Sequence, residues 1–246
     1  MTNRGRARIG VLVPYTNTNL EPDMTLLSPE GVSAHFMRMG GYDEDEIPDE
    51  DQMAGLGSAD LDVPLSLLQG AKPDVVLYGC TSATLSHGPS FDRELARTIK
   101  SQSGAQTVTA AGALVAALTA LNVTRIGFAS PYVPSLNDRA IAFLEDEGFA
   151  TVSRAEVTEA LGNAGQGALT PDAVFDLGTR ADSPEAEAIV LSCTDMRSVE
   201  VIDTLEQAVG KPVVTSNQAM MFQALQMLGI PDAPSGYGRL LQGLAT

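Results

Sequence analysis

Near its start the chain reads Arg8-Ile-Gly-Val-Leu-Val-Pro-Tyr15, and half-way along it reads Arg125-Ile-Gly-Phe-Ala-Ser-Pro-Tyr132. Each stretch is a short apolar run that ends at a proline, which is typical of a buried β-strand followed by a turn. A second pair follows in the same order, Pro73-Asp-Val-Val-Leu-Tyr-Gly-Cys-Thr81 and Ala186-Glu-Ala-Ile-Val-Leu-Ser-Cys-Thr194. A Val-Thr pair before a helix then occurs at 108–109 and again at 214–215. The repeated order predicts two topologically equivalent halves, near 1–115 and 116–230.

Predicted strands and helices alternate along nearly the whole chain. The apolar runs predicted as strands lie at 8–13, 32–39, 74–78, 106–110, 124–128, 188–191 and 212–215. The stretches predicted as helices lie at 51–69, 91–102, 112–121, 135–147, 170–181, 198–209 and 217–228. Apolar strands separated by helices indicate parallel sheets with both faces covered. We therefore expect an α/β fold of two lobes, one formed by 1–115 with 216–246 and the other by 116–215.

The composition excludes several classes of protein. The chain has 246 residues and a formal net charge of −16, and a field of that sign repels phosphate groups, so we expect neither a nucleic-acid partner nor a membrane surface. The longest uncharged apolar stretch, 110–123, has 14 residues and is too short to span a bilayer. Its Ala-rich helix is expected to pack in the core, with a dimer interface as the alternative. Because no signal segment opens the chain and two cysteines make no disulfide framework, we expect a cytoplasmic protein.

One segment, 43–51, contains seven acidic residues in nine positions. A metal-binding loop and a recognition segment are the functional interpretations. The segment lacks the glycine turn and the alternating oxygen ligands of a calcium loop. We therefore expect a solvated loop whose last carboxylates favour the N-terminus of the following helix.

Both cysteines follow predicted strands. Ligands of parallel α/β sheets bind beyond the carboxyl ends of the strands, so we expect Cys80 and Cys193 to approach one pocket from opposite halves. Backbone N–H groups at this position favour the thiolate, which is the reactive form, and they also offer a site for a carboxylate. The alternatives are two small buried hydrophobes, a Cys80–Cys193 disulfide, or zinc ligands, for which only His35 and His87 are available as partners. A dyad of His87 with Cys80 is a further alternative, although we expect a solvated loop histidine.

Three other loops are candidates for the same pocket. The loop Pro14–Asn19 is rich in small donors suited to a carboxylate, and Ser130-Pro-Tyr132 would place a phenol nearby. The stretch Gly162–Gly167 is expected to be a flexible loop with an amide that reaches in. The alternative for each loop is ordinary turn chemistry. Dinucleotide, P-loop and nucleophile-elbow motifs are absent from the sequence.

Taken together, these residues resemble the aspartate/glutamate racemase superfamily, within it the maleate cis-trans isomerase and arylmalonate decarboxylase branch. The resemblance extends from about residue 8 to 228 and is carried by Gly10-Val-Leu-Val-Pro-Tyr-Thr-Asn-Thr18, by Cys80 and Cys193, and by Ser130-Pro-Tyr132. The stretches 14–23 and 40–48 are most similar to the maleate-isomerase-like proteins of bacterial ectoine-utilisation clusters.

This resemblance implies two Rossmann-like lobes related by a pseudo-two-fold axis, an active site in the cleft, no metal, no cofactor, and a homodimer or higher homo-oligomer. It implies that Cys80 and Cys193 are the catalytic residues. The residues that it implies for substrate binding, through amides, hydroxyls and backbone N–H groups, are Asn17, Thr18, Thr81, Ser82, Tyr132, Asn163, Thr194 and Asp195. Two departures, at Tyr15-Thr16 and over Cys193–Arg197, imply a substrate bulkier or more polar than maleate.

Two cysteines that face one carbon atom permit two reactions. A racemase would use one thiolate to remove a Cα proton and the opposite thiol to return one. A cis-trans isomerase would add the Cys80 thiolate to a double bond while Cys193 protonates the neighbouring carbon. We expect a cofactor-independent isomerase or racemase of a small carboxylate, with ectoine catabolism as the implied setting. The alternatives are an arylmalonate-type decarboxylase and a catalytically inactive metabolite-binding protein.

Overall fold

The computed structural model describes residues 5–40 and 47–245. Within them, eight strands form two parallel sheets, with the strand orders β2-β1-β3-β4 and β6-β5-β7-β8. The strands are β1 (Ala7–Pro14), β2 (Val32–Met39), β3 (Val75–Tyr78), β4 (Gln106–Thr109), β5 (Arg125–Ser130), β6 (Ala150–Glu156), β7 (Ala188–Leu191) and β8 (Val213–Thr215). Because the two orders are the same, the halves repeat one topology. The predicted α/β fold with two parallel-sheet lobes is confirmed.

Burial explains which strands the sequence revealed. Every residue of β3 and β7 is buried, as expected for inner strands of a sheet that helices cover on both faces. By contrast, β6 is an edge strand that is mostly half-buried. Its sequence, Ala-Thr-Val-Ser-Arg-Ala-Glu, lacks a continuous apolar run. The sequence analysis missed β6 for this reason.

Twelve helices of the described residues connect and follow the strands. They are α1 (Leu20–Leu27), α2 (Glu50–Gly57), α3 (Asp62–Gln69), α4 (Thr81–Leu85), α5 (Pro89–Ser103), α6 (Ala110–Ala120), α7 (Pro134–Asp146), α8 (Asn163–Gly167), α9 (Pro171–Arg180), α10 (Ile202–Val209), α11 (Ser216–Met227) and α12 (Gly238–Gln242). Short 3-10 turns lie at Val199–Val201 and Gly243–Ala245. No helix in this part of the chain is long and apolar enough to cross a membrane.

One helix prediction and one loop prediction were wrong. The single helix predicted over 51–69 is interrupted, because α2 ends at Gly57 and α3 begins only at Asp62. The predicted flexible loop over 162–167 is the short helix α8. Helices of five to eight residues, such as α1, α4 and α12, also escaped prediction. They are too short to show a clear hydrophobic period.

The acidic segment predicted as a solvated loop over 43–51 lies partly outside the described residues. Its described part includes Asp49, whose exposed carboxylate accepts the N–H of Gln52 at 2.9 Å and thereby caps α2. A carboxylate at this position satisfies one of the free N–H groups of a helix start. The expected role at the helix start is therefore confirmed for Asp49.

The Ala-rich helix α6 packs against α11, the equivalent helix after the second sheet. Its buried residues are Ala110, Ala111, Ala113, Leu114, Ala117 and Leu118. Core packing, the expected role of this helix, is confirmed. The division of the chain into 1–115 with 216–246 and 116–215 stays a prediction.

Gly79 allows the end of β3 to approach β1 closely. Its N–H donates to the carbonyl oxygen of Leu12 at 2.9 Å, and a Cβ at residue 79 would lie 2.8 Å from that oxygen. Ser192 occupies the equivalent place in the second lobe, where its N–H donates to the carbonyl oxygen of Ala129 at 2.8 Å. These hydrogen bonds fix the residue that precedes each cysteine.

We expect Gly79→Ala to lower the free energy of unfolding by about 2 kcal/mol, because the new methyl group clashes with a backbone oxygen that cannot move freely. Urea unfolding would measure the change. Gly55→Ala in α2 is the control, since a Cβ there meets nothing within 4 Å, and removing a helical glycine should stabilise by roughly 0.5–1 kcal/mol. Equal stabilities of the two variants would contradict the prediction.

Candidate active site

The carboxyl ends of strands from both sheets meet at one small cavity. Its lining residues are Pro14, Thr16, Asn17, Pro48, Met53, Cys80, Ser82, Asn163, Gln166, Cys193, Thr194 and Asp195. The cavity has a volume of about 30 Å³, more than the space that one ordered water molecule requires. A larger groove of about 610 Å³ lies against another face of α2, but neither cysteine lines it. The chemistry of both thiols is therefore confined to the small cleft.

Cys80 lies between β3 and α4 and is 5% exposed. Burial raises the pKa of its thiol, while the N–H groups of Ala83 and Ser82 and the Ser82 hydroxyl offset part of the rise. The Ser82 Oγ is 3.7 Å from the sulfur. The sequence analysis expected the N–H groups to favour the thiolate. They act in that direction, but burial outweighs them.

Cys193 follows β7 and is buried to the same extent. Burial raises the pKa of its thiol to about 12, and the Asp195 carboxylate adds to the rise. The Asp195 N–H donates to the sulfur at 3.3 Å, and the thiol donates to Gln166 Oε1 at 3.7 Å. A charge on Cys80 raises this pKa further, which places the two sulfurs within electrostatic reach of one another. Cys193 is therefore held as a neutral thiol.

Tyr132 follows β5 and is fully enclosed. Burial raises the pKa of its phenol well above the usual value, and charges on Cys193 and Cys80 contribute. Its Oη has Ser192 and Cys193 as polar neighbours but forms no hydrogen bond of good geometry. The phenol therefore lies next to the Cys193 sulfur, although it does not line the cavity itself.

The turn after β7 is bonded to the first lobe through Thr194. Its hydroxyl donates to the carbonyl oxygen of Gly79 at 2.9 Å and accepts from Asn17 Nδ2 at 3.0 Å. The Asn17 Oδ1 in turn accepts the N–H groups of Asn19 at 3.0 Å and Leu20 at 2.9 Å. The orientation of the Asn17 amide is thereby fixed, and the second hydrogen on Nδ2 remains for a ligand.

Asp195 makes a second connection between the lobes. Its Oδ1 accepts the N–H of Thr18 at 2.9 Å, the N–H of Asn19 at 3.1 Å and Asn19 Nδ2 at 3.0 Å. The same amide donates to the Asp195 carbonyl oxygen at 2.7 Å. Burial raises the pKa of the carboxyl to about 6, and these donors limit the rise. The carboxyl is thus mostly ionised at neutral pH.

Asn217 at the start of α11 supports this turn from behind. Its Nδ2 donates to the carbonyl oxygen of Thr194 at 3.0 Å and to Asp23 Oδ2 at 2.7 Å. Burial raises the pKa of Asp23 to about 7, although the bond from Asn217 lowers it. Nearby, the Thr81 hydroxyl donates to the Ser216 hydroxyl at 2.9 Å. Helices α1, α4 and α11 therefore hold the base of the cleft together.

Seven of the predicted site residues line the cavity: Cys80, Cys193, Asn17, Ser82, Asn163, Thr194 and Asp195. Thr18, Thr81 and Tyr132 do not. Thr18 is exposed, and its N–H is taken by Asp195. The N–H of Asp195 likewise goes to the Cys193 sulfur rather than to a carboxylate cradle. The predicted cradle is therefore smaller than expected, because protein groups already use several of its donors.

The sequence analysis missed Gln166 and Met53. Asn163 and Gln166 share one face of α8, since residues three apart are neighbours on a helix. This signal was hidden by the assignment of the stretch to a flexible loop. Met53 on α2 accepts the Ser82 hydroxyl at 3.0 Å through its sulfur. Nothing local in the sequence connects a methionine after the acidic segment with a cysteine that follows β3.

The structure separates the alternatives for the cysteines. Both are free thiols, so the disulfide is not formed. The His87 ring lies 3.0 Å from the carbonyl oxygen of Ala54 and stacks on Phe91 with ring centroids 4.0 Å apart, so it is not paired with Cys80. His35 is bonded to Ser33 on β2, away from the cleft. Among residues 5–40 and 47–245, no His, Cys, Asp and Glu side chains cluster in a way that could hold a metal ion.

A thiol from each of two equivalent lobes can act on both sides of a bound carbon atom, as acid, base or nucleophile. The fold and the site therefore define a two-lobed α/β protein with a pair of cysteines in its cleft. The chain belongs to the arylmalonate decarboxylase family, whose model matches residues 9–241.

Named relatives agree with this membership. The chain is 30% identical to the maleate isomerase of Nocardia farcinica, over 97% of this chain and 96% of the relative. It is 27% identical to the arylmalonate decarboxylase of Bordetella bronchiseptica, over 93% of this chain and 91% of the relative.

Solved structures are similar over the same length. The maleate isomerase Iso from Pseudomonas putida S16 matches with a TM-score of 0.86 and 26% identity, over 97% of this chain and 99% of that chain. A mutant of the Nocardia farcinica maleate cis-trans isomerase with a covalently bound succinylcysteine intermediate matches with a TM-score of 0.86 and 28% identity, over 96% and 98%. The family recognised from the sequence is confirmed, and several of these relatives are isomerases, as the sequence analysis expected of this chain.

We expect iodoacetamide to alkylate both cysteines more slowly than free cysteine near neutral pH, and Cys193 most slowly, because a raised pKa leaves less thiolate. Mass spectrometry of the peptides would give the two rates. The same protein in urea is the control, since both thiols should then react at the free rate. A rate above that of free cysteine at either residue would contradict the prediction.

We expect Thr194→Val to destabilise the protein by about 2–3 kcal/mol, because the Gly79 carbonyl and one Asn17 N–H lose a buried partner. Thr194→Ser keeps the hydroxyl and should cost clearly less. Urea unfolding of both variants would test the difference. Equal losses in the two variants would contradict the prediction, because only Thr194→Val removes the hydroxyl.

Proposed function

We propose that this chain is a cofactor-independent isomerase of a small carboxylate, with Cys80 and Cys193 as its catalytic residues. One observation carries the proposal: the two thiols come from equivalent places in the two lobes and line one cavity. The maleate isomerases among the relatives support cis-trans isomerisation as the type of reaction.

The surroundings of the two sulfurs favour different roles. N–H groups of Ser82 and Ala83 lower the pKa of Cys80, whereas the carboxylate of Asp195 raises that of Cys193. An anion is therefore better supported on Cys80, and a proton is better retained on Cys193. We assign Cys80 as the nucleophile and Cys193 as the acid.

In the proposed reaction, the Cys80 thiolate forms a C–S bond to one alkene carbon. The electron pair of the double bond moves to the neighbouring carbon, next to a carboxylate, and Cys193 gives that carbon its proton. The bond between the two carbons is now single and rotates. The Cys193 thiolate then takes the proton back, the C–S bond breaks, and the trans acid and the Cys80 thiolate are released. Atoms and charge balance without any cofactor.

The other predicted residues have distinct parts in this proposal. Asn17, Ser82 and Asn163 line the cavity and would bind the substrate carboxylate. Thr18, Thr81 and Thr194 are positioning residues, because their described hydrogen bonds are to protein groups. Tyr132 would contribute an uncharged phenol beside the Cys193 sulfur.

Arylmalonate-type decarboxylation is the second candidate, because the family model and one relative carry that activity in their names. A decarboxylase would depend mainly on one cysteine as a proton donor, so the presence of both thiols in the cleft favours isomerisation. Racemisation uses the same two thiols. Cytoplasmic location, a homo-oligomeric state and a setting in ectoine utilisation stay predictions from the sequence.

We expect Cys80→Ser and Cys193→Ser each to reduce isomerisation by roughly 100-fold or more. Proton NMR of maleate, of its monoamide and of cis-4-aminobut-2-enoate in D₂O would follow conversion of the cis to the trans alkene. Incubated with substrate, Cys193→Ser should also accumulate a covalent adduct on Cys80, visible by intact mass, whereas Cys80→Ser should not.

Other outcomes would identify the other candidates. Deuterium at Cα of an amino acid without an adduct would indicate a racemase. Release of CO₂ from phenylmalonate, dependent on one cysteine, would indicate a decarboxylase. Binding of ligands with no turnover of any of these compounds would overturn the proposed enzyme and leave a binding protein.

A further inference from the structure

The two lobes repeat one topology, but the polar groups at the two ends of the cleft differ. Beside Cys193, the side chains that line the cavity include the carboxylate of Asp195 and the amide of Gln166, whose oxygen accepts the thiol. The nearest N–H group, that of Asp195, is already bonded to the sulfur. Asp195 thus gives this end of the cleft a carboxylate, and the other described lining residues are uncharged.

The charge of Asp195 is not neutralised by any cation that lines the cavity. Its partners Thr18 and Asn19 are uncharged. Among the described lining residues there is no lysine, arginine or histidine. Arg38 contacts the same loop, but its guanidinium donates to the carbonyl oxygens of Tyr15 and Asn17 and pairs with Glu21. A ligand in the cleft would therefore meet an unpaired negative charge.

The opposite end of the cleft has no charged side chain among its described lining residues, although its N–H groups, like that of Asp195, bond a sulfur. The N–H groups of Ser82 and Ala83 bond the Cys80 sulfur. Asn17 lines the cavity and keeps one Nδ2 hydrogen beyond its bond to Thr194. Because no acidic side chain other than Asp195 lines the described cavity, a carboxylate is accommodated best at the Cys80 end.

We propose that the cleft takes a substrate with two unlike ends, a carboxylate at Cys80 and an ammonium group at Cys193, and that Asp195 selects the ammonium group. This inference depends on the proposed function in one respect only, namely that the cleft is the substrate-binding site. A symmetrical dicarboxylate would bring its second anion against Asp195, whereas an ammonium group would form a charge-assisted hydrogen bond there. Asp195 is thus a specificity-determining residue, and an amino-substituted monocarboxylate is the substrate class.

Three acids that cannot react in the cleft test the preference for an ammonium group over a second carboxylate. Succinate, β-alanine and propanoate share a carboxylate on a two-carbon chain and end in a carboxylate, an ammonium group and a methyl hydrogen respectively. Isothermal titration would give their dissociation constants with the intact protein. We expect β-alanine to bind about tenfold or more tightly than succinate, since a hydrogen bond to a charged group is gained and a repulsion avoided.

Asp195→Asn keeps the shape and an oxygen for the Thr18 and Asn19 N–H groups but removes the charge. We expect the ratio of the β-alanine and succinate constants to fall by about tenfold or more in this variant. Asp92→Asn is the matched control, because Asp92 is also a buried acid with a pKa raised to about 6, but it lies on α5 outside the cleft. The ratio of the β-alanine and succinate dissociation constants in Asp92→Asn should equal that of the natural protein.

The outcomes are separable from those of the proposed function. Tighter binding of succinate than of β-alanine by the natural protein, an unchanged ratio in Asp195→Asn, or binding of none of the three acids would overturn the inference. The first comparison needs no variant, so it holds even if Asp195→Asn does not fold. The expected ranking without turnover of any alkene would leave the specificity of Asp195 standing and remove the isomerase.

Discussion

The cleft depends on the turn after β7 being bonded to the first lobe. Thr194 is held by Gly79 and Asn17, and Asp195 is held by the loop that follows β1. These contacts join the strand ends that carry the two cysteines, although the cysteines themselves are 113 residues apart. The bonds of Thr194 are buried and those of Asp195 are partly buried, and a hydrogen bond in such surroundings is stronger than one in water. Hydrogen bonds between the lobes, rather than a bond between the cysteines themselves, therefore hold the two sulfurs in position.

The two lobes have the same topology, but the side chains beside their two cysteines differ. Gly79 precedes Cys80 and Ser192 precedes Cys193, and the backbone hydrogen bonds to the neighbouring strand are the same in both lobes. The side chains beyond that point differ, with Ser82 near the first sulfur and Asp195 near the second. The backbone thus supplies two matching supports, and a few side chains give the two sulfurs different surroundings. This division explains how one fold can serve several reactions within a family.

The sheets were predictable from the sequence because apolar runs report burial directly, and the cysteines because strand ends locate ligand sites in parallel sheets. The protonation of the thiols was not predictable. It depends on burial, and the burial of Cys80 and Cys193 comes from groups far away in sequence, such as Met53 on α2. The hydrogen bond from the Thr18 N–H to Asp195 was not predictable for a related reason. The Thr18 N–H lies in a loop but donates to Asp195 across the cleft. Only the packing of the two lobes brings these two groups together.

The placement of Asn217 has a consequence for the order in which the molecule matures. This side chain belongs to α11, the last long helix of the chain, yet it bonds the Thr194 carbonyl and the Asp23 carboxyl. During synthesis both sheets leave the ribosome before α11 does. Until then the turn beside Cys193 lacks its support, and a buried acid lacks its donor. The cleft therefore cannot reach its final form until α11 has been made.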